Sequence, residues 1–365
     1  MNWQRMQEVF PLEGGSAEES FANPGGGTFT LPIGANAMDL TYGQGRDLTT
    51  PWSRWIVQGT EEHIEYAGLI TGRRWNEDAE AWTIRAYEAS ELFKKRFPHY
   101  VGEYGTEQAT ITIVNKSARH VISMLIDLGA NRNRVRWDLR LTAGITESGG
   151  ISEVIEREKM QKLAHTLSRF EARADGPNWH LKPKWHADGG LMHERRIGNP
   201  YLNQGTFDFD LDAAECPLTV GDYEEEARDQ ATGMMVQADG IGAGKIVQQI
   251  VESDLADNNA GYDGFYLDEE LRDDATDGSL AFARGLAELT AKQRPIQSMP
   301  MTLTLRRDGT DPPVDPGSRI VVRTARSRGI PPRSVWYVTT LKYRTGSDDA
   351  QIEAVPFAPA GWIGA

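Results

Sequence analysis

Cysteine is nearly absent from this 365-residue sequence, and the lone Cys216 excludes an intramolecular disulfide framework. The opening residues MNWQRMQEVFPLEGG lack the basic start and apolar core of a secretory signal, so synthesis in a cytoplasm without export by that route is expected. No uncharged apolar run reaches the ~18 residues that cross a bilayer as a helix, and stable membrane insertion of that kind is not expected. Nor is there a Lys/Arg block dense enough to track a phosphate backbone. Acidic residues outnumber basic ones by 53 to 39, a formal charge of -14, which argues against sequence-specific nucleic-acid binding.

What the chain does have is core material. Hydrophobic residues make up 39% of it and ten tryptophans are spread from Trp3 to Trp362, enough for a folded protein whose length implies several subdomains. Residues 1–27, rich in Gly, Glu and Ser, read as an N-terminal arm. Ile64, Tyr66, Gly68 and Ile70 alternate toward one face, turn at Asn76 to Asp78, and are answered by Trp82, Ile84 and Ala86, which predicts a hairpin. Tyr87 to Phe97 turns helical and Pro98 stops it. Ala109, Ile111 and Ile113 predict a strand; Ser117 then caps a helix with a Val121, Met124, Leu125, Leu128 stripe that Gly129 ends. A longer helix is expected from Ile151 to about Ala174. Strand alternation returns at Trp179, Leu181, Pro183 and Trp185, with a turn at Asp188 to Gly190. A Ser279-capped helix from Leu280 to about Lys292 presents Phe282, Leu286 and Leu289 as its core stripe, before Pro295. Four strands follow, around Met299 to Leu305, Ile320 to Val322, Val335 to Leu341 and Ile352 to Ala354.

No motif in the sequence carries chemistry. Gly240-Ile241-Gly242-Ala243-Gly244-Lys245 fails the phosphate-loop pattern, since the earlier glycine would fall at Asp239 and the magnesium-holding hydroxyl at Ile246; it reads as a bulge or turn. Asp208, Asp210 and Asp212 alternate with Phe207, Phe209 and Leu211, so their carboxylates share a strand side where calcium could bind, but an exposed polar strand face explains them without an ion and is the preferred reading. Asp273 to Gly278 fails as a calcium loop at Ala275 and Arg284. His180, His186 and His193, with Asp188 or Glu194, could converge on zinc but lack a zinc motif's spacing, and surface histidines are the simpler reading. Cys216, in acidic surroundings, makes a poor nucleophile. No catalytic, cofactor-binding or metal-binding residue is assigned.

The order of pieces over roughly residues 28–357 nevertheless resembles the tail-tip or baseplate hub proteins of long-tailed phages, often labelled minor tail proteins. Trp52 to Gln58 with His63 to Ile70 and Trp82 to Ala86, the Trp179 to Trp185 strand, and the C-terminal third carry the likeness. That third comprises Met235 to Gly244, Gly261-Tyr262, the Leu280 helix, Pro295 to Leu305, Pro316 to Val322 and a final strand pair. Gly317-Ser318 stands where related hubs often have Gly-Asp. The resemblance implies a β-rich α+β fold with two related small β-barrel domains and an α/β insert. Its divisions would be a first barrel at 28–97 with 177–220, the insert at 98–176, a mixed α+β domain at 221–295, a second barrel at 296–358 and a tail at 359–365. It further implies a non-enzymatic virion protein, a homotrimer at the tail tip that matches a six-fold tube to a three-fold tip around a DNA channel. Its partners would be the distal tail protein, the tape measure protein and a central tip or fibre protein. A cell-wall hydrolase or a carbohydrate-binding tail component is the alternative.

Overall fold

The computed structural model describes residues 14–21, 23–32, 41–60, 63–98, 110–130, 139–155, 161–173, 176–238, 247–251, 267–272, 278–293, 296–305, 314–326 and 329–357. Chain contacts divide it into two units, residues 1–170, 177–221 and 300–365 in one and 171–176 and 222–299 in the other.

The first unit is built on an eleven-stranded sheet. Strands β1 (Gly15–Ser20), β2 (Gly26–Pro32), β3 (Trp55–Gly59), β4 (Ile64–Asn76) and β5 (Ala81–Tyr87) form its N-terminal part in the order β1-β2-β5-β4-β3. The predicted hairpin is β4–β5, its turn fixed by Asn76 Oδ1 accepting from the Asp78 and Ala79 amides. Phe29, Leu31, Tyr66, Ile70, Trp82, Ile84 and Ala86 form the core beneath. Part of the expected arm is therefore sheet: β1 lacks apolar alternation, yet it pairs with β2 on one edge and with a C-terminal strand on the other. Between β2 and β3 lies helix α1 (Tyr42–Leu48), opened by a reciprocal Thr41–Gln44 cap.

After a 3-10 helix at Ala89–Lys95 come β6 (Ile111–Lys116), α2 (Ala118–Ala130), β7 (Ile151–Ile155) and α3 (Leu163–Glu171). The helix expected from Ile151 is corrected here. Ile151 to Ile155 also reads with period two, β-branched and alternately buried, and pairing with β6 decides for strand. Gly129 does not cap α2. It is a close-packing glycine inside the helix, where a Cβ would stand 2.5 Å from Leu163 Cδ2 and 2.8 Å from Phe93 Cε1. Val121, Ile122, Leu125 and Ile126 of α2 meet Leu163, Leu167 and Phe170 of α3 in a shared core.

Strands β8 (Trp179–Trp185) and β9 (Leu191–Ile197) form a separate hairpin whose Trp179, Leu181 and Ile197 complete that core. The C-terminal strands are β10 (Thr206–Asp210), β11 (Leu218–Val220), β17 (Met301–Thr304), β18 (Arg319–Arg323), β19 (Arg333–Arg344) and β20 (Asp349–Pro356). The pairing runs β11-β17-β20-β19, and β18, with β10 parallel beside it, also pairs β19. On its other edge β19 changes partner: Arg333 to Tyr337 pair β18, and beyond an irregularity between Val338 and Thr340 the strand pairs β1. Pairing among the described residues is an open path from β11 to β3, with no pair closing either half into a ring.

The second unit has the two-stranded pair β12 (Glu224–Glu226) and β16 (Ile296–Ser298). Beside it are β13 (Gly233–Gln237), β14 (Val247–Val251) and β15 (Asp268–Arg272), ordered β14-β13-β15, under helix α4 (Gly278–Lys292). The predicted helix is present and Leu289 is buried as expected, but Ala281 and Gly285 take the places of Phe282 and Leu286 in the buried stripe. Ala281, Gly285 and Leu289 face Val236 and Ile250, while Phe282 is 43% and Leu286 38% exposed. A Cβ on Gly285 would lie 2.2 Å from Val236 Cγ2, so this helix approaches its sheet closely through its small residues. Gly240 to Lys245, Gly261-Tyr262 and Asp273 to Asp277 lie outside the described residues.

Candidate functional site

Register in the β8–β9 hairpin sets His180, Lys182 and Lys184 opposite Arg196, Glu194 and Met192, so one face is mostly charged, while the other is mostly apolar but also carries His193 and Arg195. Such alternation predicts a solvated face, yet His180 and Lys182 are each 4% exposed. The apolar face packs on the helical core, and β1 and the segment before β18 supply partners to the charged face. The surface reading of His180 and His193 is thereby corrected: His180 is buried on the charged face and His193, 1% exposed, on the apolar one.

Lys182 Nζ donates to Glu19 Oε2 at 2.8 Å and to Asp315 Oδ1 at 2.9 Å. Arg196 takes the other Asp315 oxygen through Nη1 at 2.8 Å and Glu194 Oε2 through Nε at 2.9 Å. Glu88 Oε2 accepts the Gly25 amide at 2.8 Å, and its Oε1 stands 3.3 Å from His180 Nε2. Glu19 Oε1 is 3.8 Å from the same nitrogen and has no hydrogen-bond partner. Ser318 Oγ receives the Asp315 amide, and Gly317, at φ 95°, brings its backbone against Leu202 and Val338. The network thus sits where β19 exchanges β18 for β1, joining both parts of the sheet.

Burial opposes charge at Glu19, Asp315 and Lys182; it prevails at Glu19, while nearby opposite charges prevail at the other two. Burial raises the Glu19 carboxyl above its ordinary value despite Lys182 and His180. Asp315, although buried, is held well below the usual carboxylate range by Lys182 and Arg196. Burial disfavours the Lys182 ammonium, but Glu19 and Asp315 outweigh it and raise its pKa. Carboxylates so clamped hold structure. A general acid or base must reach a substrate proton, and Glu19 is wholly enclosed.

The three histidines do not converge. His186 lies at the exposed turn, 2.9 Å from Asp188, which Arg140 also holds, and Glu194 is committed to Arg196 and Lys184. His193 packs beside Trp55, ring centroids 5.2 Å apart, with neither ring nitrogen hydrogen-bonded. Asp208 and Asp210 lie on the exposed side of β10. Asp208 pairs Arg323, Asp210 accepts the Asp212 amide, and Asp212 accepts from the Ala325 amide and Thr324. Cys216 is half-buried and donates to the Leu218 carbonyl. A cavity of about 520 Å³ is lined by Arg119, Arg195, Arg196 and Arg319, but Glu147, Asp127 and Asp315 neutralise the first three, and Arg319 lies over the Phe357 ring.

No protein-family model matches the sequence, and no curated protein matches it. Several solved structures match the fold, two of them as follows. The tail protein from Neisseria meningitidis MC58 superposes with a TM-score of 0.55 at 12% identity, covering 94% of this chain and 92% of that one. The 43 kDa tail protein of prophage MuSo2 from Shewanella oneidensis gives 0.58 at 12% identity, covering 95% and 94%. Over nearly its whole length, the chain therefore has the β-rich fold of phage tail proteins.

Proposed function

We propose that the chain is a structural protein of a phage tail, a homotrimeric hub that closes the tail tube at its tip and adapts six-fold to three-fold symmetry around a channel for DNA. The observation that carries this reading is the end-to-end likeness to two tail proteins. A fold kept over more than nine-tenths of both chains at 12% identity fits conservation of shape, which is what a symmetric ring requires. Apolar side chains exposed on the second unit, Phe282 and Leu286 on α4 with Ile296 on β16, support it, since assembly covers such surface.

In this reading the two repeated units that present six elements per trimer are the expected 28–97 with 177–220 and 296–358, except that β10 and β11 pair with β18 and β17 and so go with the second, while 98–176 and 221–295 are appended to them. The distal tail protein, the tape measure protein and a central tip or fibre protein are its neighbours, and it has no enzymatic role. Negative-stain microscopy with light scattering on the purified chain tests this. Rings of three with a central opening are the expected result. A species that stays monomeric, both alone and mixed with a distal tail protein, or release of soluble fragments from peptidoglycan, counts against it.

A further inference from the structure

We propose that Glu19, Glu88 and His180 hold a structural zinc ion, although sequence reading assigns the chain no metal. The three come from β1, the residue before the 3-10 helix and β8, separated by 69 and 92 positions, so no short motif announces them. One ligand atom from each, Glu19 Oε1, Glu88 Oε1 and His180 Nε2, lies within 4.8 Å of the other two, and all three residues are buried. His180 Nε2 stands 3.3 Å and 3.8 Å from the carboxylate oxygens. Tetrahedral zinc with bonds of about 2.0–2.1 Å needs ligand edges of about 3.3–3.4 Å, which the His180–Glu88 pair meets at 3.3 Å and the His180–Glu19 pair exceeds at 3.8 Å; these three residues leave the fourth position open.

The second oxygens of both carboxylates are held, whereas the buried His180 Nδ1 has no hydrogen-bond partner to fix the ring. Glu88 Oε2 is held by the Gly25 amide and Glu19 Oε2 by Lys182, which turns both Oε1 atoms toward the imidazole. Glu19 Oε1 is the independent pointer. It belongs to a side chain with no exposure, makes no hydrogen bond of good geometry although the Tyr343 hydroxyl lies close enough to Glu19 to interact, and faces His180 Nε2. Charge points the same way. Glu19, Glu65, Glu88 and Asp315 are buried, against Lys182 and the largely covered Arg196, so buried carboxyls outnumber these cations four to two. One imidazole and two carboxylates in an enclosed space suit zinc better than calcium, which takes six or more oxygens. The ion ties β1 to the hairpin and to the start of the 3-10 helix; its role is to set the sheet, and it makes no contact with a substrate.

The full chain, purified without chelator from zinc-supplemented medium, is expected to carry about one zinc per chain by mass spectrometry. Because the site is enclosed, the ion should leave only on unfolding. Protein unfolded and refolded with EDTA should melt at a lower temperature than protein refolded with zinc. Glu88→Gln and His180→Gln should lower zinc content at least about tenfold, whereas Asp208→Asn, on the exposed β10, should keep it. If a variant fails to fold, the wild-type refolding comparison decides alone. Wild-type protein with less than about a tenth of a zinc per chain, and with identical melting after refolding in EDTA or zinc, overturns the proposal in favour of a proton shared between His180 and the carboxylates.

Discussion

Taking away the Lys182 ammonium leaves Glu19 and Asp315 enclosed without the cation that both share. We expect Lys182→Met to lower unfolding free energy by about 3–5 kcal/mol in urea titrations, the size typical of a buried charge stripped of its partner. His193 gives a pH-dependent test. Burial, with His180 nearby, pushes its imidazole from the ordinary 6.5 down to about 3. Between those values the unfolded chain holds the extra proton, so stability contributed by the neutral ring is complete above 6.5 and falls as the pH drops. The slope is at most about 1.4 kcal/mol per pH unit. His193→Leu should flatten that part of the acid-stability curve, and equal slopes in both proteins would refute the assignment. Neither residue's burial was legible in the sequence. A hairpin alternating Trp-His-Leu-Lys-Pro-Lys-Trp reads as half solvated, because period two shows that two faces differ without showing what covers each. The counter-charges at Glu19 and Asp315 lie 163 and 133 positions away.

Strands with strong alternation, such as β4, β5, β8 and β19, were readable because apolar periodicity is local. What failed was decided by a neighbour. Ile151 to Ile155 satisfies helical and extended spacing alike, and β6 settles it. In α4 the largest apolar residues were the natural core candidates, but the helix seats its small residues so near β13 and β14 that Phe282 and Leu286 stay outside. Gly285→Ala should therefore cost about 1–3 kcal/mol by forcing Val236 and Ile250 aside, measurable as a lowered thermal midpoint. Paired replacement of Phe282 and Leu286 by Glu should leave helical content unchanged. If these side chains cover one another in the proposed ring, the same variant should remain monomeric in light scattering; a trimer from it would remove α4 from the interface.

At the scale of the whole molecule, composition excluded more than it assigned. Charge, the single cysteine and the lack of long apolar runs argued against classes of function, while the order of elements suggested the β-rich fold that the solved tail proteins share. Three copies of a chain carrying -14 repel one another at long range. Ring formation should therefore strengthen between low salt and ~0.15 M, where the screening length shrinks to ~8 Å. Sedimentation across that range reads it, and weakening with added salt would show that ion pairs between copies dominate instead. The exchange of partners along β19 has a further consequence, for synthesis. Ser20 meets Thr340 across 320 positions, so the first strand emerges from a ribosome tens of seconds before the strand that flanks it, at roughly 5–20 residues per second. Until then one edge of β1 is open and Glu19 has no Asp315 nearby. The nascent chain must carry an unfinished sheet through nearly its whole translation, which makes late closing of the sheet a built-in property of this topology.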